Sequence, residues 1–231
     1  MPATTLGWRY GPRLAQRGAA VTLVRVDGVT HRRAAVTILR DVDVRLEPAR
    51  LTVLAGRSGS GKSTLCHLVA GIMRPSAGAV LVADRPAHRV RDWAVVSLLP
   101  QRLALAAELT VAENALLPAR LRGRGAQPDL LERLGLDAIA DRPVRETALG
   151  EQQRTALARA LVLGPAVAVL DEPTGHQDDE HVGLILDAVV TAARAGTLVV
   201  VATHDQRVID VADETIRLRS GRVLDGSADH A

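Results

Sequence analysis

Eight consecutive residues constrain this chain more than any other stretch: Gly56-Arg57-Ser58-Gly59-Ser60-Gly61-Lys62-Ser63. They follow the apolar run Leu51 to Ala55 and precede a segment with helical periodicity, in which Leu65, Leu68, Val69 and Ile72 share a face and Gly71 and Pro75 close the element. The spacing fits G-x-x-x-x-G-K-[ST] in the strand, turn and helix context that the pattern requires. A strand that passes through three glycines straight into a helix turns its backbone N–H groups toward one point, where the helix end adds partial positive charge. That is a cradle for phosphate. Gly56, Ser58, Gly59, Ser60, Gly61 and Thr64 would line it, Lys62 would reach the β- and γ-phosphates, and the Ser63 hydroxyl would ligate Mg²⁺. Lys62 is also the only lysine among 29 Lys plus Arg. Arginine serves a solvated surface equally well, but its planar fork cannot replace a compact ammonium in a tight pocket.

The 231 residues suffice for one substantial core, with room for an inserted lobe. No run of about 18 uncharged apolar residues is present, so no spanning helix is encoded. The N-terminal stretch lacks the apolar segment and cleavage site of a secretory signal. A single cysteine, Cys66, allows no internal disulfide and reads as a small core residue. Net charge is only +3, Phe is absent, and no basic run is interleaved with aromatics, which argues against nucleic acid as a partner.

Residues 1–20 form a loose extension without periodicity. Strand-like segments at Val21 to Val26, Val42 to Leu46 and Leu51 to Ala55 point to an antiparallel layer beside the core. From 102 to 160 the chain is rich in Ala, Leu, Arg and Glu, with Pro118, Pro128 and Pro143 punctuating helices; this reads as an inserted, mostly helical subdomain. Short apolar strands return at Val167 to Leu170 and Leu198 to Ala202, separated by a helix over His181 to Arg194. The expected class is α/β: a mainly parallel core from residues 21–101 and 161–231, with the helical subdomain inserted between its two parts.

The run Val167 to Leu170 ends in Asp171 and Glu172, at the kind of strand end where open α/β sheets bind ligands. Asp171 would hold Mg²⁺, and Glu172 would orient or deprotonate an attacking water. With the phosphate cradle, the pair makes a nucleoside triphosphatase.

Leu149-Gly150-Glu151-Gln152-Gln153-Arg154, continuing to Leu161, resembles the signature helix of ABC ATPases. Further matches follow that family's order over about residues 21–225. Leu99-Pro100-Gln101 resembles its Q-loop, which makes Gln101 a contact to the metal and the water. Leu109 to Asn114 resembles the segment that follows. Asp178 takes the D-loop acid position, and His204 in Ala202-Thr203-His204-Asp205 the γ-phosphate contact of the H-loop. The resemblance implies ATP and Mg²⁺ as cofactors, with Gly150 and Glu151 facing the nucleotide of a second ATP-binding subunit. It also implies an integral membrane permease docking near Gln101, and a peripheral place on the cytoplasmic face of the membrane. Residues 109–117 and the Leu-Arg-Gly that follows look most like the subunits of lipoprotein-release and macrolide-export systems.

Three departures from the family stand out. The signature usually begins Leu-Ser-Gly-Gly, whereas Thr147-Ala148-Leu149-Gly150 stands here: the hydroxyl is gone and a branched side chain replaces a hydrogen. The usual Ser-Ala-Leu before the D-loop acid is also replaced. No aromatic occupies the stretch Val29 to Arg33 where adenine commonly stacks, which leaves His31 or Arg33 for that role. A weakened signature suits a heterodimer with a stronger partner, or a regulatory subunit that binds nucleotide with little hydrolysis.

Overall fold

The computed structural model describes residues 22–123 and 129–224. The N-terminal extension, Pro128, and Val21 at the head of the first expected strand lie outside them. In chain order the elements are β1 (Val24–Arg33), β2 (Val36–Leu46), β3 (Leu51–Ala55), α1 (Lys62–Val69), β4 (Ala77–Val82), β5 (Arg85–Pro86), β6 (Val96–Leu99), α2 (Val111–Leu121), α3 (Leu130–Arg133), α4 (Leu149–Leu161), β7 (Val167–Asp171), α5 (Asp179–Arg194), β8 (Leu198–Thr203), α6 (Gln206–Asp210), β9 (Glu214–Arg219) and β10 (Arg222–Val223).

Two sheets result. One is antiparallel, in the order β2-β1-β4-β5, and the other has the order β10-β9-β3-β8-β7-β6. Within the second, β9, β3, β8, β7 and β6 pair parallel and only β10 turns back. Every residue of β3, β7 and β8 is buried, which is why these strands read as unbroken apolar runs rather than alternating ones. Successive side chains still point to opposite faces. Val167 and Val169 join a core with α1 and the antiparallel sheet, while Ala168 and Leu170 join another with α2, α4 and α5.

The structure lengthens two expected strands. β1 continues to Arg33, and β2 begins at Val36 rather than Val42, across register shifts that bend the pair. The first helix stops at Val69, so Ile72 lies beyond it and is 66% exposed instead of sharing its apolar face. Pro118 interrupts nothing, because it sits buried inside α2 and leaves the Asn114 carbonyl without its usual helical donor.

α2 starts with a reciprocal cap: Glu113 N donates to Thr110 Oγ1 (3.1 Å), and Thr110 N donates to Glu113 Oε2 (3.0 Å). Asn114, fully buried in its first turn, folds the preceding loop around itself. Its Oδ1 accepts from Ala106 N at 2.9 Å, and its Nδ2 reaches the carbonyls of Ala106, Thr110 and Leu109 at 3.0, 3.1 and 3.2 Å. From the other side Arg159 of α4 donates to Ala104 O at 2.7 Å. Residues 104–110 are thereby held as a shaped strap between the end of β6 and α2.

Candidate functional site

Parallel pairing brings the C-terminal ends of four strands to one edge. Ala55 lies opposite Thr203, Asp171 opposite Ala202, and Leu99 opposite Leu170. The loops leaving β3, β8, β7 and β6 therefore emerge side by side, carrying residues 56–61, His204, Glu172 and Gln101. Four segments scattered over about 150 positions become neighbours through strand order alone.

The loop after β3 needs its glycines for definite reasons. Gly56 has φ 156°, and a Cβ there would lie 2.4 Å from the Leu218 carbonyl oxygen. Gly61, the residue before α1, has φ 108° and would meet Leu39 Cδ2 at 2.7 Å. The turn after β9 supports the loop from outside, where Gly221 N donates to Ser60 O (3.1 Å). Lys62 is buried and donates through Nζ to the carbonyls of Gly56 (2.7 Å) and Arg57 (3.4 Å), so the ammonium lies against the loop it serves. Ser63 and Thr64 follow in the first turn of α1.

Asp171 ends β7 only 1% exposed, and neither carboxylate oxygen has a hydrogen-bond partner. Burial raises its pKa above the usual carboxylate range; the nearby Ser63 hydroxyl opposes that shift without meeting hydrogen-bond geometry, and Lys62 and His67 oppose it too. Two orphaned acceptors on a buried acid beside a hydroxyl are an unusual expense in a folded protein. Oxygen donors of this kind suit a hard divalent cation such as Mg²⁺, which keeps several waters and takes few protein ligands. The residues present fit it.

Glu172 adopts φ 51°, a left-handed conformation costing about 1–2 kcal/mol for a non-glycine residue. The surroundings hold it there. Thr203 Oγ1 donates to Oε2 (2.9 Å), His204 Nδ1 lies 3.1 Å from Oε1, Glu172 N donates to Ala202 O (2.8 Å), and Gln153 Nε2 donates to the Glu172 carbonyl (3.0 Å). The His204 side chain is itself 80% exposed, free to face a ligand above the sheet edge. Gln101 stands exposed just beyond β6.

The signature segment is built differently. Ala148 is the cap of α4 and offers no oxygen, so only half of a capping box forms: Glu151 Oε2 accepts from Ala148 N (2.7 Å), which commits Glu151 to the helix end. Leu149 is 48% exposed beside it. Gly150 is required, since a Cβ there would lie 2.9 Å from the His176 carbonyl oxygen. Asp178 caps α5, accepting from His181 N (2.9 Å), and this bond with the His181 side chain draws its pKa down. Of the two adenine candidates, His31 has an Nδ1 that is buried without a partner, and Arg33 is exposed.

Sequence reasoning missed several contributors. Thr203, which fixes Glu172, was spelled out next to His204 but carries no signal of its own. Arg217 and Arg219 of β9 flank a cavity of about 930 Å³ on the outer side of the phosphate loop and make that flank electropositive. Their only trace in the sequence is the alternation of β9.

Residues 39–175 match the family profile described as ABC transporter. This chain belongs to the ABC transporter family. Among curated members, it is 33% identical over 219 residues to the lipoprotein-releasing system ATP-binding protein LolD of Gluconobacter oxydans, a match covering 87% of this chain and 95% of that protein. It is 34% identical over 224 residues to the methionine import ATP-binding protein MetN of Cereibacter sphaeroides, covering 90% of this chain but only 64% of that protein's length. The fold is similar to a dimeric structure of the ATP-binding cassette MJ0796 in a post-hydrolysis state bound to ADP and Pi, with a TM-score of 0.78, 26% identity, and coverage of 87% of this chain and 96% of that one. The likeness to lipoprotein-release subunits is thus upheld, although an import protein of the ABC family lies at equal distance. Among the described residues of this family member, no helix is long and apolar enough to cross a membrane.

Proposed function

We propose that the chain is the ATP-binding and ATP-hydrolysing subunit of an ABC transporter, closing against a second such subunit on ATP and driving a separate membrane permease. One observation carries the reading: a buried, unpartnered Asp171 stands beside Lys62 and Ser63, next to a Glu172 held in a strained backbone by its neighbours. A chain with no metal-bound phosphate ligand to serve gains nothing from that cost.

In this reading the amides of residues 56–64 take the nucleotide's phosphates, and Lys62 exchanges the Gly56 and Arg57 carbonyls for phosphate oxygens. Ser63, Asp171 and Gln101 would hold Mg²⁺, which when bound supplies charge neutralisation on the phosphates. Glu172 accepts the proton of a water, with Thr203 and His204 fixing the direction of its carboxylate. His204 then turns its exposed ring toward the γ-phosphate. Gly150 and Glu151 would face the nucleotide of the opposing subunit, as would Asp178 from its own loop. His31 or Arg33 would stack on adenine.

The permease would dock near Gln101, which stands exposed just beyond the end of β6. Such a subunit would lie peripherally on the cytoplasmic face of the membrane.

A second reading, a nucleotide-binding regulatory subunit with little hydrolysis, draws on the oxygen-free Ala148 and the exposed Leu149. ATPase activity of the purified chain, alone and then with its native partner, separates the two. Hydrolysis that rises with the partner, together with an ATP-trapped dimer on Glu172→Gln, is expected; Mg-ATP binding that never leads to phosphate release under either condition selects the regulatory reading instead.

A further inference from the structure

One polar side chain near the site has no role so far. Gln177 lies in the loop between β7 and α5, immediately before the cap Asp178, and reaches back to α4. Its Nε2 donates to the Gly150 carbonyl (2.9 Å), and its Oε1 accepts from Arg154 Nη1 (2.7 Å). Arg154 is only 4% exposed and spends its Nε on the Leu134 carbonyl (2.9 Å). The contact is intimate as well as polar, because a Cβ on Gly150 would come within 3.3 Å of both Gln177 amide atoms.

The second stitch lies at the other end of the same loop, where Gln153 of α4 donates to the Glu172 carbonyl. Residues 172–177 are therefore fastened to the first turns of α4 at both ends. A leucine, which the resemblance led one to expect at position 177, could make neither hydrogen bond. This chain has lost the serine and glycine of the signature turn and has gained an amide that grips the same turn from within.

We propose that Gln177 is a positioning residue: it fixes the signature turn to the loop bearing Glu172 and Asp178, so that nucleotide on the chain's own phosphate loop is registered at the turn presented to a second subunit. The inference rests on the proposed nucleotide-binding function. Glu172 and Asp178 sit at the two ends of one short loop whose backbone is strained at Glu172 and at His176 (φ 61°). Such a loop has little freedom to absorb a displacement locally, so movement at Glu172 passes to Gly150 while Gln177 bridges them. Without the bridge, the Gln153 stitch still ties Glu172 to α4, but the Gly150 turn itself is no longer held to the loop.

The test is peptide-resolved hydrogen exchange over residues 148–155 of the full chain, with and without Mg²⁺ and the non-hydrolysable analogue adenylyl imidodiphosphate. In the unaltered chain the analogue slows exchange there by roughly tenfold, of the order expected for stabilising a hydrogen-bonded turn. Gln177→Ala binds the analogue within about twofold of the same affinity, as no phosphate contact is touched, yet loses the response. Gln177→Glu keeps an acceptor for Arg154 but has no donor for the Gly150 carbonyl. It recovers the thermal midpoint without recovering the response, a split that a purely stabilising residue would not produce. A response of normal size in either variant overturns the proposal, as does an unaltered chain that binds the analogue with no change at residues 148–155. If the unaltered chain fails to bind the analogue at all, the functional reading itself falls, and the coupling with it.

Discussion

On the proposed function, the strand edge and the N-terminus of α4 meet the same ligand chemistry with opposite construction. At the edge, Lys62, Asp171 and Glu172 are largely withdrawn from water, and Glu172 is gripped through both carboxylate oxygens and both backbone polar groups. At the helix end, Ala148 offers the backbone nothing, Leu149 stands in solvent, and order comes from Glu151 and Gln177. On the proposed function, the groups that act on the chain's own nucleotide sit at the edge where the parallel strands end, and the groups offered to another subunit sit on the first turn of α4.

That contrast breaks first at Lys62. Lys62→Ala is expected to weaken Mg-ATP binding about a hundredfold or more by calorimetry, and Lys62→Arg to fare little better, since a guanidinium fork does not fit between the Gly56 and Arg57 carbonyls. Glu172→Gln should leave ATP affinity nearly unchanged while phosphate release falls by about 10²–10⁴, because the amide can still accept from Thr203 but cannot take a proton. On the other side of the comparison, Ala148→Ser with Leu149→Gly is a gain of function. Restoring one charge-assisted hydrogen bond, worth roughly 1.5–3 kcal/mol, should raise turnover by about one to two decades in steady-state assays.

Asp171→Asn gives the smallest effect, and its sign is informative. Burial raises the pKa of the folded carboxyl, so its contribution to stability is present at low pH and is lost as pH rises through that elevated value. At neutral pH and without nucleotide, the neutral amide should therefore melt about 2–4 °C higher, the shift expected from relieving roughly 1 kcal/mol in a chain of this size. The same variant should lose the added stability that Mg²⁺ gives the ATP-bound protein. A lower midpoint would mean that the carboxylate is structurally paired, and that the site was misread.

The strand edge was legible because its chemistry is written in contiguous runs. Eight residues spell the loop, and an unbroken apolar strand announces Asp171 and Glu172. The parallel core was equally plain, since fully buried strands need no alternation. What escaped was set by distance along the chain. Nothing in Thr203 foretells a bond to a residue 31 positions earlier, nor in Gln177 a grip on Gly150, 27 positions back. Local rules also misled where packing overrode them: Pro118 reads as a break but is carried inside α2, and the replacement at position 177 gives no sign that it adds a contact.

The strap of residues 104–110 has a consequence for how such a protein can diverge. Asn114 and Arg159 shape it through main-chain atoms, while Leu105 packs on the core and Thr110 caps α2, so the exposed residues between them are not needed to keep its path. On the proposed function, the exposed residues at 106, 107 and 108 could change beside a permease docked near Gln101 while the interior side chains preserve the curve. Surface and architecture are uncoupled at that strip, so its exposed face can be rewritten without the fold being rebuilt.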